Sequence, residues 1–103
     1  NDVAPLNIIL YQNFPNPYNP ETKIRFTIPQ DERGETQDVS LKVYDFLGNE
    51  IVTFVNEEKP AGEYEVIFNT DLVNQNSELP GGVYFYQLRA EKLVQTRKMI
   101  YLK

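Results

Sequence analysis

Three stretches of this chain alternate apolar and polar residues with a period of two. Ile24, Phe26 and Ile28 alternate with Lys23, Arg25 and Thr27. Val39, Leu41 and Val43 alternate with Ser40, Lys42 and Tyr44, and Tyr64, Val66 and Phe68 with Glu63, Glu65 and Ile67. Successive side chains of a strand point to opposite faces, so each pattern predicts a strand with one face buried and one in water. Helical spacing is hard to find. Val83 to Ala90 and Thr96 to Leu102 carry β-branched or aromatic residues on both faces and read as strands too. Ile8 to Gln12 and Glu50 to Val55 are shorter candidates, which makes about seven strands in all.

The punctuation between these stretches is that of tight turns. Asp45-Phe46-Leu47-Gly48 places Asp first and Gly last, as a type I turn joining a hairpin requires. Lys59-Pro60-Ala61-Gly62 has Pro second and Gly fourth, again a type I signature. Leu79-Pro80-Gly81-Gly82 suits a type II turn with Gly81 at positive φ. Glu91-Lys92-Leu93 is a short connection that makes the last two strands antiparallel neighbours. Gln30 to Asp38 and Asp71 to Glu78 are polar and irregular and read as surface loops. No internal repeat, low-complexity tract or interdomain linker is read. Short strands at regular spacing predict an all-β fold, a small antiparallel β-sandwich of the immunoglobulin-like kind.

Length and composition narrow the function. A chain of 103 residues is the size of one domain and buries a core without staples. It has no Cys and no His, which removes disulfides, thiolate ligands, a cysteine nucleophile and the commonest general base. Catalysis is not expected, and neither is a cofactor or metal. Apolar runs reach only four residues, too short to span a bilayer. The chain starts at Asn1 rather than at a methionine and shows no charged-then-apolar leader. It reads as a piece of a longer protein, with residues 1–7 as the end of a tether from an upstream domain and 8–103 as the domain.

Charge is unevenly spread. Residues 1–88 hold 5 basic and 14 acidic side chains, whereas residues 89–103 hold five basic residues against Glu91 alone. The acidic body argues against a nucleic-acid partner, which would need a continuous basic face. The basic end has two readings: exposed positions on the last strands, or a C-terminal address read by a receptor.

Asn13-Phe14-Pro15-Asn16-Pro17-Tyr18-Asn19-Pro20 is the least strand-like stretch. Prolines lack a ladder donor and hold the preceding residue extended, so the segment is a stiff crossover from the first strand to Thr22. Phe14 and Tyr18 are expected to pin it by packing on the sandwich. A proline-rich ligand for a partner is the other reading.

Other chemistry is weak. Asp31-Glu32 and Glu57-Glu58 are adjacent carboxylates in polar loops and do not face each other across a cleft, as glycosidic hydrolysis demands. Asp45 to Glu50 echoes a calcium loop but has Phe46 and Leu47 where ligands belong. Thirteen aromatics include no Trp, and Tyr64, Phe68, Phe26, Tyr84 and Tyr86 fall where a core needs bulk, so a sugar-stacking platform is the lesser reading. Ser40, Ser77 and the threonines have no histidine to activate them.

Five blocks in order carry a family resemblance. Asn13 to Phe26 resembles the opening of the type A C-terminal sorting domain of the type IX secretion system. Val39 to Ile51 is similar to that family's central hairpin. Pro60-Ala61-Gly62-Glu63-Tyr64, Gly82 to Leu88, and Lys98-Met99-Ile100-Tyr101-Leu102-Lys103 resemble its next blocks and its ending. The pattern also resembles an immunoglobulin-like module of a flagellar hook-capping protein. The resemblance covers residues 8–103.

It implies a seven-stranded sandwich at the C-terminus of secreted cargo, passing through the periplasm to the cell surface or medium. The implied partners are an outer-membrane translocon, a surface sortase that usually removes the domain, and the upstream cargo. Neither membrane insertion nor oligomerisation is implied. The translocon-reading residues would be Lys98, Met99, Ile100, Tyr101, Leu102 and Lys103. Pro15, Asn16, Pro17, Asn19, Pro20, Asp45, Gly48, Pro60, Gly62, Gly82 and Tyr84 would be structural motif residues. The loops at 30–38 and 71–78 look longer and more polar than the family pattern. Two other functions compete: a cell-surface adhesion or carbohydrate-binding module attached to an enzyme, and a structural spacer. That the sequence stops at Lys103, directly after the last strand, favours sorting.

Overall fold

In the computed structural model the described residues are 7–30, 34, 36–73 and 79–103. They form seven strands in two antiparallel sheets, as the alternation predicts. β1 is Ile9–Leu10, β2 Glu21–Ile28, β3 Gln37–Tyr44, β4 Glu50–Lys59, β5 Gly62–Asn69, β6 Gly82–Ala90 and β7 Leu93–Tyr101. One sheet has the order β1-β2-β5 and the other β4-β3-β6-β7. The predicted loop after β5 opens with one helical turn, Thr70–Val73. Glu57 and Glu58, read as loop residues, instead lie in β4, which runs on to Lys59.

The core lies between the sheets and follows the alternation. Ile24, Phe26 and Ile28 of β2 face Val39, Leu41 and Val43 of β3 and Tyr84, Tyr86 and Leu88 of β6, all buried. Burying each such side chain stabilises the fold by roughly 1.5–3 kcal/mol. The opposite face of β2 and β5 is solvated and laced by Lys23–Glu65 and Arg25–Glu63 pairs at 3.7 and 3.5 Å. Exposed pairs of this kind add little stability.

The turns hold one surprise. The Asp45–Gly48 hairpin is as expected: Gly48 N donates to Asp45 O at 3.0 Å, with Gly48 at φ 92°. The Asp45 carboxylate accepts from the backbone N–H of Leu47 and Asn49, both at 2.9 Å, and from Asn49 Nδ2 at 3.0 Å. The Asn49 bonds lead in holding its carboxyl below the usual 3.8. At 79–82, however, the positive φ belongs to Gly82 (140°), not to Gly81. Gly81 serves a different need. A Cβ there would meet Lys103 N and Tyr101 O at 3.2 Å, so it lets the chain end pass close by.

Candidate recognition site

The terminal strand β7 lies at the edge of its sheet, where one row of backbone groups faces outward. That row is not open. Ile100 N donates to Asn16 Oδ1 at 3.0 Å, Tyr18 N to Ile100 O at 3.0 Å, and Leu102 N to Tyr18 O at 2.9 Å. Gln12 Nε2 donates to Lys98 O at 2.7 Å. Further along, Gln95 bonds Leu10 N through Oε1 and Ile8 O through Nε2, and Arg97 Nε donates to Leu10 O. Residues 12–18 therefore cover the outer backbone edge of β7 from Lys98 onward, and the Gln95 and Arg97 side chains hold residues 8–10 against the rest of the strand.

The proline-rich crossover is thus a latch as well as a connection. Its three X–Pro bonds, before Pro15, Pro17 and Pro20, are cis. Tyr18 inserts into the core and stacks on Tyr101 with ring centroids 5.3 Å apart. Its hydroxyl is buried with no hydrogen-bond partner. Burial, with Tyr84 and Tyr101 adding, pushes its pKa far up.

Phe14 does not pin the segment: its side chain is 79% exposed, and its backbone instead exchanges both hydrogen bonds with Lys23. The buried pin one residue earlier is Asn13. Its N–H donates to Tyr86 Oη at 2.8 Å, and its Nδ2 reaches Thr22 Oγ1 at 3.0 Å and Pro15 O at 3.2 Å. Neighbouring side chains in extended backbone point opposite ways, so burying Asn13 turns Phe14 outward. The Tyr86 hydroxyl donates in turn to Tyr11 O at 2.7 Å.

The other motif residues of this segment divide by role. Pro15 O accepts from Thr22 Oγ1, and Pro20 O accepts from Thr70 N and Oγ1. Asn16 caps Ile100, whereas Pro17 and Asn19 are exposed.

Of the six residues expected to be read, two are internal. Met99 and Tyr101 face the core; Ile100 is half-buried; Lys98, Leu102 and Lys103 are exposed. In register, Lys98 sits opposite Phe85, and Ile100 opposite Val83, on the outer face of the sheet.

A pair of devices escaped the sequence reading. Tyr64 Oη donates to Pro60 O and Tyr84 Oη to Pro80 O, both at 2.6 Å. In each case a glycine, Gly62 or Gly82, lies at positive φ between the two residues. The signal was present twice as Pro-x-Gly-x-Tyr, at 60–64 and 80–84. A tyrosine bonding back to backbone a few residues upstream fixes where a strand begins in a sandwich.

Among the described residues no group of three or more acidic side chains is placed to hold a metal ion, and no helix is long and apolar enough to cross a membrane. What the molecule offers is an antiparallel sandwich whose terminal strand is gripped by the proline-rich crossover. The family model of the secretion system C-terminal sorting domain matches residues 12–102, and the chain belongs to that family. That family is the type IX secretion C-terminal sorting domain, so the chain is a sorting signal of the type IX system. A sorting-signal domain is not itself catalytic, and its signal implies secretion or export to the cell surface.

Two solved structures share the fold. The crystal structure of dimeric latent PorU from Porphyromonas gingivalis aligns with 98% of this chain at 18% identity and a TM-score of 0.66. This chain spans only 10% of that protein's length. The sensor domain of the anti-sigma factor RsgI4 in Pseudobacteroides cellulosolvens aligns over 98% of this chain and all of its own, at 14% identity and a TM-score of 0.58. No curated protein matches the chain by sequence.

Proposed function

We propose that the translocon reads exposed Lys98 of the terminal strand and exposed Leu102 and Lys103 just beyond it, with half-buried Ile100 beside them. The observation that carries this reading is the division of labour within β7. Met99 and Tyr101 anchor the strand in the core and the crossover holds its edge, while Lys98 and Leu102 stay in water and Ile100 is half-buried. The address is therefore a fixed array of side chains. It does not work by strand addition over Lys98 to Leu102, because Lys98 O, Ile100 N, Ile100 O and Leu102 N already have partners.

In this reading residues 1–7 join the domain to its cargo. Residues 1–6 lie outside the described residues, and Asn7 is already tied to β2 through its carbonyl, which accepts from Thr27 Oγ1 at 3.0 Å. The domain acts as a monomer that reaches the outer-membrane translocon from the periplasm, and a surface sortase then removes it from the cargo.

The test is the double variant Lys98→Glu/Lys103→Glu in a reporter fused upstream of Asn1, in a host with the secretion system. Exposed substitutions change stability by about half a kcal/mol each or less, so the purified variant is expected to melt close to wild type. The reporter is expected to remain in the periplasm. A folded double variant exported at the wild-type level would show that these lysines are not read.

A further inference from the structure

The hairpin between β3 and β4 carries two adjacent large apolar side chains in water: Phe46 is 72% exposed and Leu47 83%. The turn does not need them. Asp45 and Gly48 supply its geometry, and the two middle positions of a type I turn accept most residues, polar ones included. The tip is also rigid, since Asp45 ties down Leu47 N, Gly48 N and Asn49 N. A held, exposed aromatic-aliphatic pair loses little freedom on binding, as an interface anchor should.

The tip continues into a larger surface. Tyr44 lies opposite Phe85, and Phe85 opposite Lys98, so one row on the outer face runs from the foot of the hairpin to the terminal strand. A shallow cleft of ≈ 470 Å³ lined by Tyr44, Phe46, Leu47 and Phe85, with Asp45 and Gln87 on its polar side, occupies the near part of this row. On its other side the tip borders Pro80–Val83, beside which the chain end passes. The chain approaches from the far end of the sandwich, where Asn7 bonds Thr27 next to the β2–β5 pair Ile28–Gly62.

We propose that Phe46 and Leu47, with Tyr44, Phe85 and Lys98, form a docking knob for a protein partner of the export machinery that presents an apolar socket with a carboxylate at its rim. This inference rests on the sorting reading and adds a second anchor to it. Charge complementarity selects the carboxylate: Lys98 ends the aromatic row and has no ion pair among the described residues. A lipid surface is the weaker occupant. Anionic membranes are held by clusters of about four to eight basic residues, whereas this row holds Lys98 at one end and Glu50, opposite Tyr44, at the other.

The experiment compares reporter fusions carrying the wild-type domain, Phe46→Ser/Leu47→Ser, and the apolar control Phe46→Leu. Ile67→Ser serves as a control for an exposed apolar residue on the other sheet. The serine pair is expected to melt with wild type and to lower export about tenfold or more, the loss of an anchor. Phe46→Leu and Ile67→Ser are expected to export normally. If the serine pair melts lower, Leu47→Glu decides in its place.

Wild-type export with equal export of the tip variants overturns the docking knob alone. Retention of the wild-type reporter overturns the sorting reading and the knob with it. Two further assays use the purified domain: flotation with anionic phospholipid vesicles, and sedimentation across a concentration series. Vesicle binding, or self-association, that the serine pair abolishes would overturn the protein socket in favour of a lipid or a second copy. Neither is expected.

Discussion

Tyr18 and Tyr101 stack at 5.3 Å between ring centroids, and the backbone of Tyr18 bonds Ile100 O on one side and Leu102 N on the other. One residue of the crossover thus fixes both the ring and the backbone of the terminal strand. Yet the Tyr18 hydroxyl has no partner. A buried unpaired polar group costs about 1–3 kcal/mol. Tyr18→Phe keeps the stacked ring and is expected to raise stability by about 1 kcal/mol or leave it unchanged. Tyr18→Ala removes the ring and is expected to cost about 3–5 kcal/mol. Urea unfolding midpoints measure both. A clear loss for Tyr18→Phe would mean the hydroxyl does make a bond.

Alkaline pH should open the same region. Burial pushes the Tyr86 phenol from 10.0 up to about 12, against the opposing pull of Asn13 N–H and Arg97. The folded state holds this proton more tightly than the unfolded one. Its contribution is therefore whole below pH 10 and is lost as pH rises toward 12. The loss is about 2–3 kcal/mol. Tyr18 and Tyr84, also raised chiefly by burial, act with the same sign. Tyr86→Phe is less stable than wild type at neutral pH, having lost its bonds to Asn13 N and Tyr11 O. That gap is expected to narrow as pH climbs from ~9 to ~12. Urea midpoints across that range test the point, and a gap that widens would refute the assignment.

The two adjacent glycines at 81 and 82 are expected to fail differently. Gly82 has open space around a Cβ but φ 140°, so Gly82→Ala strains backbone alone, by about 1–3 kcal/mol. Gly81→Ala leaves φ alone and pushes the new methyl against Tyr101 O and Lys103 N. It is expected to loosen the chain end, which amide exchange at Leu102 and Lys103 would register. Gly82→Ala should leave those amides nearly unchanged. The reverse pattern would contradict the geometry.

The strands were readable because each buries one face, and burial writes a period of two into the sequence. That is why Phe26 and Leu41 could be placed in the core from pattern alone, whereas Val83 to Ala90, apolar on both faces, did not say that Tyr86 and not Phe85 turns inward. The crossover offered no such period. Which of Asn13 and Phe14 turns inward depends on the hydroxyls of Tyr86 and Thr22, far away in the sequence or across a turn. The sealing of β7 rests on contacts such as Asn16 with Ile100, separated by 84 positions, which no local pattern encodes. Pro-x-Gly-x-Tyr occurs twice in the sequence, but nothing local in it says that each tyrosine turns back to bond the proline carbonyl. The exposed tip at Phe46 and Leu47 looked like ordinary turn filler because sequence does not reveal which way a hairpin points.

Sheet order places β7 at a border, but from Lys98 onward its backbone is bonded on both flanks, by β6 on one side and by the crossover on the other. During synthesis the latch is made first and the strand it holds comes last. A chain broken off before Leu93 leaves Tyr18 without its stacking partner and leaves β6 and the crossover each with a row of unmet backbone groups. The array of Lys98, Ile100, Leu102 and Lys103 is held in place only where β7 and the crossover that grips it are both present, so segments 84 positions apart stand or fall together.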